Sequence, residues 1–306
     1  MRQPAALAIA FLSGAILAAQ GRVNAQFTIE IHDGLFAALV SCLIGMTIMV
    51  VIVLAIPARR RALVTVPMAI REGRIRWWFL LSGFAGSCFV ASQAIGVPLL
   101  GIALFSIVVT GAQVTSSLGV DRIGLGPAGK SPVTGRRVIA ALLGLSAVAV
   151  AALGRSSVEG AVPLAALLLV LGAGVVMAPQ QALNARIAGA THSVSVATAI
   201  NFTVASFGLL IAVLVVHRGI PADFVDGVPP WLLLGGPIGL IYMGMATLVV
   251  RVVGVLLFFL TAVSGQLAAS LLVDIVFPVP GTVISWGLVS ALCLSLVAVA
   301  VGALRR

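Results

Sequence analysis

Charge is what this chain has least of. Asp, Glu, Lys and Arg together make up 8% of its 306 residues, and only eight residues are acidic, whereas soluble globular domains are nearer a quarter charged. An ordinary soluble domain is thereby excluded. The three cysteines, Cys42, Cys88 and Cys293, all fall inside apolar stretches, so no disulfide framework is suggested. His32, His192 and His217 lie at loop positions without metal-ligand spacing. No nucleophile stands with a base in a pattern that suggests an enzyme, and neither a cofactor nor a metal is expected.

What fills the chain instead is apolar: 61% hydrophobic residues and a mean hydropathy of +1.23. Crossing about 30 Å of hydrocarbon takes about 20 such residues in a helix, which satisfies its own backbone. Ten segments qualify, at roughly 4–26, 35–56, 77–95, 98–120, 137–154, 162–187, 194–216, 231–250, 252–273 and 283–304. The expected fold is an all-α integral membrane protein of ten transmembrane helices. The first span, with Arg2 before it and Val23-Asn24-Ala25 near its end, has the outline of a secretory signal. An internal duplication argues that it is retained.

At an offset of 160, Gly14 falls on Gly174, Gln20 on Gln180, Asn24 on Asn184, Ala25 on Ala185 and Ala37 on Ala197. At an offset of 153, Trp78 falls on Trp231, Gly83 on Gly236, Gly86 on Gly239, Gly101 on Gly254, Gln113 on Gln266 and Asp121 on Asp274. The offsets differ by seven residues, which a longer loop after the second span absorbs. The chain thus divides into two five-helix membrane repeats, 1–156 and 157–306. Five is odd, so the second copy enters the bilayer from the opposite side, an inverted repeat of the kind many secondary transporters use. With that threading, fifteen Lys and Arg fall on the side of the termini and three (Arg22, Arg155, Arg218) on the other. Both termini are therefore expected in the cytoplasm of a multi-pass plasma (inner) membrane protein. The stretch 57–76, with its six arginines, reads as a solvated positive-inside loop, and the net charge of +10 needs no nucleic acid.

The polar residues inside the spans are amides. Rise along the helices places Gln20, Asn24, Gln93 and Gln266 toward the outside, and Gln113, Gln180, Asn184 and Asn201 toward the inside. Spacing of four stacks Gln20 with Asn24, and Gln180 with Asn184, on one helix face. Such amides either bond across helices as packing glue or line a path and hold a solute; their recurrence at mirrored depths favours the path. Pro179 frees the carbonyl of Val175 and kinks the helix beside Gln180, either as a gating hinge or substrate site or as a simple packing kink. Asp121 and Asp274 sit just past the fourth and ninth spans, as candidates for coupling or gating or, more simply, hydrated or paired with Arg122. No carboxylate lies at mid-membrane depth. Residues 124–131, GLGPAGKS, match the phosphate-loop pattern letter for letter. They follow a membrane helix and precede Pro132 rather than joining a strand to a helix, so no nucleotide is expected.

Ten spans in two inverted halves resemble the drug/metabolite transporter superfamily, in particular its YdcZ-like branch in double-length form. Carrying the likeness are Gln20 with Asn24, Gln180 with Asn184, Trp78 or Trp231 followed by glycines, and Gly265-Gln266 with Asp274, echoed by Ala112-Gln113 with Asp121. Ala112 departs from the Gly-Gln pattern, and Gly21-Arg22 stand where the other half has Gln181-Ala182, so the halves need not bind alike. The resemblance implies an inner-membrane transporter or exporter of small molecules, without naming the substrate. The expected mechanism is alternating access around a site between spans one, four, six and nine, for a small, neutral or weakly charged solute. The rivals are a passive channel of the same build and a lipid-handling or structural protein. Expected partners are the solute and the bilayer; a homodimer is compatible with the sequence.

Overall fold

The computed structural model describes residues 2–153, 164–217, 228–276 and 286–303, and among them every regular element is helical. In order these are α1 (Gln3–Ile31), α2 (Gly34–Ala55), α3 (Pro57–Arg71), α4 (Gly83–Ile123), α5 (Gly135–Leu153), α6 (Leu164–Thr191), α7 (Val194–His217), α8 (Gly235–Val253), α9 (Val255–Val276) and α10 (Trp286–Ala303). Short 3-10 segments, Trp77–Ser82 and Pro230–Leu234, lead into α4 and α8. Arg155 and Arg218, and the junction between the two proposed halves at 156/157, lie outside the described residues, as do Arg305 and Arg306. Large apolar side chains such as Leu142, Phe207 and Val215 face outward while Gln180, Gln181, Asn184 and Asn201 are buried, an arrangement suited to a hydrocarbon solvent.

Local chemistry sets the ends of these helices. Asp33 caps α2 by accepting from the Phe36 amide at 3.0 Å. His32 and His192, matched by the 160-residue offset, both adopt a left-handed backbone, with φ of 55° and 53°, and each closes the helix before it. The arginine-rich stretch after α2 is not the loop expected: residues 57–71 form α3. Its Val66 and Ala69 are buried against α2, α6 and α7, and periodic apolar positions among arginines stabilise the helix by that burial.

The third and fourth expected spans are one continuous run of helical backbone, the 41 residues of α4. Straight, it would reach about 61 Å. Its neighbours show that it folds back. A Cβ on Gly86 would touch Gln180, and one on Gly96 would touch Val170, so the first arm runs against α6. Val109 and Ala112 lie on Gly174, and the Ser116 hydroxyl reaches Val175, so the second arm runs along α6. A Cβ on Gly96 would stand 3.3 Å from the ring of Phe105, although nine residues of straight helix would separate them by about 13.5 Å. The matched junction in the second half is an open break at Gly254, where φ is +83°.

The duplication reappears in three dimensions, contact by contact. Gly83 abuts the Asn201 carbonyl and Ala205, while Gly236 abuts the Ser41 carbonyl and Gly45; both offsets map one set onto the other. Gly86 meets Gln180 as Gly239 meets Gln20, and Gly174 meets the Val109 carbonyl as Gly14 meets the Ala262 carbonyl. Small residues at these crossings let backbones approach closely, which matters most where lipid supplies no hydrophobic drive. The matched helices α2 and α7 lie side by side and antiparallel: Asp33 meets His217 at 3.0 Å, Leu39 packs near Leu209, Gly45 near Phe202 and Val53 near Val196. The repeat is therefore inverted. One face gathers α3, the α4–α5 and α6–α7 connections and the α8–α9 junction. There Arg74 donates to the Ala190 carbonyl at 2.6 Å and Asp121 meets the start of α9.

Candidate functional site

Between the halves lies a cavity lined by residues from both, and clefts with apolar walls and a few convergent polar groups are where small molecules bind. Six of its lining residues are amides: Gln20 and Asn24 from α1, Gln93 and Gln113 from the two arms of α4, Gln180 from α6 and Asn201 from α7. The two polar belts separated by depth in the sequence thus meet in one chamber. Apolar walls come from Leu17, Phe89, Met177, Phe202 and Met243, with Tyr242 among them. No charged side chain lines it among the described residues. Among the described residues the lining comes from α1, α2, α4, α6, α7 and α8; α1, α4 and α6 carry the expected spans one, four and six, and the described lining includes no residue of α9. Gln266 accordingly lies where α9 crosses α1, its backbone amide against Gly14.

One wall is a chain of hydrogen-bonded amides. Gln180 Nε2 donates to Asn201 Oδ1 at 3.3 Å, and Asn201 Nδ2 donates to Asn184 Oδ1 at 3.3 Å. Asn184 Oδ1 also accepts from the Ser82 hydroxyl at 2.9 Å, and its Nδ2 points at the Met243 sulfur at 3.4 Å. Asn184 is fully buried and does not itself line the cavity. Gln180 Oε1 is buried and has no partner, and it belongs to a residue on the cavity wall. The first half has a shorter version, in which Asn24 Oδ1 accepts from Ser41 at 3.1 Å; Ser41 occupies the position matching Asn201, and Gly235 the one matching Ser82. Ser82 and Met243 carried no sequence signal beyond their place beside matched glycines and amides.

The ionic residues serve as ties between helix ends. Asp121 is buried; its carboxylate pairs with the Arg137 guanidinium and accepts from the amides of Val255 at 3.0 Å and Leu256 at 3.2 Å. The expected partner, Arg122, is exposed. A negative group at the start of α9 is favoured by the helix dipole and its free amides. Arg186 does the converse at the end of α4, donating to the carbonyls of Leu125 at 2.6 Å and Gly124 at 2.7 Å. The GLGPAGKS loop therefore turns carbonyls toward a cation at its start. Asp274 falls in the last turn of α9, and its side chain lies outside the described residues.

Pro179 stands inside α6, and the Val175 carbonyl it leaves free accepts from Ser116 at 2.7 Å. In the other half the matching positions are Ala19 and Ala269. Where the proline is missing, so is its serine.

A duplicated, inverted, all-helical membrane bundle enclosing an uncharged polar chamber where its repeats meet is the build of a membrane transporter. A family described as "Putative inner membrane exporter, YdcZ" matches the chain twice, over residues 5–150 and 165–301. The chain belongs to that family, in double-length form. A crystal structure of a protein that is 18% identical superimposes with a TM-score of 0.69, covering 99% of this chain and 97% of that one, which shows the shared fold. No curated protein matches the chain.

Proposed function

We propose that this protein exports a small, neutral or weakly charged organic molecule across the inner membrane by alternating access, its two repeats (1–156 and 157–306) rocking about the amide chamber. The observation that carries this reading is the chamber itself, lined by amides from matched helices of opposite polarity. Supporting a state closed toward the arginine-rich face, Gln180, Asn184 and Asn201 are sealed whereas Gln20, Asn24 and Gln93 are only partly buried. Beyond the sealed amides the ties of Asp121 and Arg186 hold α4 to α9 and α6. Both termini sit in the cytoplasm, because the positive-inside rule assigns that side to the arginine-rich face. Gln20, Asn24, Gln113, Gln180 and Asn201 contact solute, Asn184 orients Gln180 and Asn201, Pro179 with Ser116 forms the hinge, and Asp121 acts as a latch rather than a proton carrier. Gln266 packs helices.

The test begins with a thermal-shift screen of metabolites and drugs, since a bound solute stabilises the folded state. A hit is then followed in proteoliposomes. Alternating access predicts that unlabelled solute on the far side accelerates exchange of labelled solute. Equal rates with and without it would mean a channel, and a Gln180→Leu protein with unchanged flux would reduce the amides to packing.

A further inference from the structure

The amide chain has a direction, and one sulfur sets it. A carboxamide donates through nitrogen and accepts through oxygen, so Gln180, Asn201 and Asn184 have two self-consistent settings in which every member points one way or the other. Ser82 does not choose between them, because a hydroxyl both donates and accepts. The Met243 thioether only accepts. At 3.4 Å from Asn184 it faces the Nδ2; in the reverse setting Asn184 Oδ1 would face sulfur lone pairs. With Asn184 held, Asn201 must turn its nitrogen to Asn184 and its oxygen to Gln180, and Gln180 must spend its nitrogen on Asn201. Of the three amide oxygens in the chain, Gln180 Oε1 is the one left without a partner, and its residue is 1% exposed and on the cavity wall. Gly86 leaves the room for this arrangement, since a Cβ there would stand 2.9 Å from Gln180 Nε2. The first half has no equivalent: Ser41 and Val90 occupy the positions matching Asn201 and Met243.

Resting on the reading of this chamber as the solute site, we infer that it selects neutral molecules bearing an amide-type N–H, which donates to Gln180 Oε1, and that Met243 is the residue that sets this polarity. A solute without a donor leaves a buried carbonyl unsatisfied. An ammonium ion finds an acceptor there but no counter-charge, because no charged side chain lines the chamber among the described residues.

Three probes of one ring size test this by thermal shift on the purified full-length protein: 2-pyrrolidinone, N-methyl-2-pyrrolidinone and pyrrolidine, a cation at neutral pH. The expected result is a saturable rise in Tm with 2-pyrrolidinone at a concentration about tenfold lower than with its N-methyl analogue, the factor that one unsatisfied acceptor commands. Pyrrolidine should be weaker than 2-pyrrolidinone. Met243→Leu, a volume-conserving change, frees the chain to reverse and should bring the two lactams within about twofold of each other. Equal response to both lactams in the native protein, no response to either, or a stronger response to pyrrolidine overturns the inference without any variant. A lactam preference that survives Met243→Leu overturns the role of Met243. These outcomes are separable from failure of the transport reading, which rests on exchange across a membrane: N–H selective binding without exchange sinks transport alone, and accelerated exchange of another solute without lactam selectivity sinks this inference alone.

Discussion

Ser116 and Pro179 form a compensated pair, and a double-mutant cycle measures the compensation. Proline removes the amide that would have bonded the Val175 carbonyl, and Ser116, from the second arm of α4, donates to that carbonyl at 2.7 Å. Ser116→Ala leaves the carbonyl with neither donor. Hydrogen bonds between membrane helices are worth about 0.6 kcal/mol on average and up to about 1.7, and an orphaned acceptor adds to that, so the expected loss is about 1.5 kcal/mol. In a Pro179→Ala background the residue-179 amide returns to the helix and the serine becomes dispensable. The same Ser116→Ala change should then cost no more than about 0.5 kcal/mol, a coupling of about 1 kcal/mol. Denaturant titration in mixed micelles, followed by far-UV circular dichroism, reads all four corners. Equal losses in both backgrounds would refute the compensation and with it the assignment of this pair as a hinge. The matched site offers the reverse experiment: Ala19→Pro should destabilise the protein, and Ala269→Ser should restore part of the loss.

The glycine crossings give a contrast in one kind of substitution. A Cβ on Gly265 would collide with the Phe11 carbonyl, whereas Gly21, on the cavity wall, has open space around its Cβ position; Gly265→Ala should cost about 1–3 kcal/mol and Gly21→Ala should be neutral or stabilising by about 0.5 kcal/mol, as read by thermal unfolding. Asp121→Asn removes the partner of Arg137 and weakens the cap on α9, so a loss of about 3 kcal/mol is expected, part of it recovered in the Asp121→Asn/Arg137→Gln double variant. Native expression of the double variant at wild-type stability, with the single variant equally stable, would exclude the tie. Arg22 and Arg122 are both exposed and belong to opposite faces of the inverted repeat. Single cysteines placed there in a cysteine-free background should react with membrane-impermeant maleimide from opposite sides of intact and lysed cells, and labelling from one side would end the inverted reading.

The linear sequence by itself determined the membrane character and the pairing of helices by two offsets, because hydropathy accumulates along a helix and duplication survives as fixed spacing. It also determined the inversion, through the odd number of spans in each copy. Its reading of 57–76 as a loop missed α3, whose helix depends on burying Val66 and Ala69 under helices that are distant in the chain. Depth along single helices placed the amides on two belts; only packing decided that six of them share one chamber. The same holds for partners. Arg137 rather than its neighbour Arg122 meets Asp121; Ser82 meets Asn184 across 102 residues, and the amide of Val255 meets Asp121 across 134. Contacts between side chains that far apart leave no periodic trace, and the direction of the amide chain, fixed by where Met243 comes to rest, exists only once the helices have assembled.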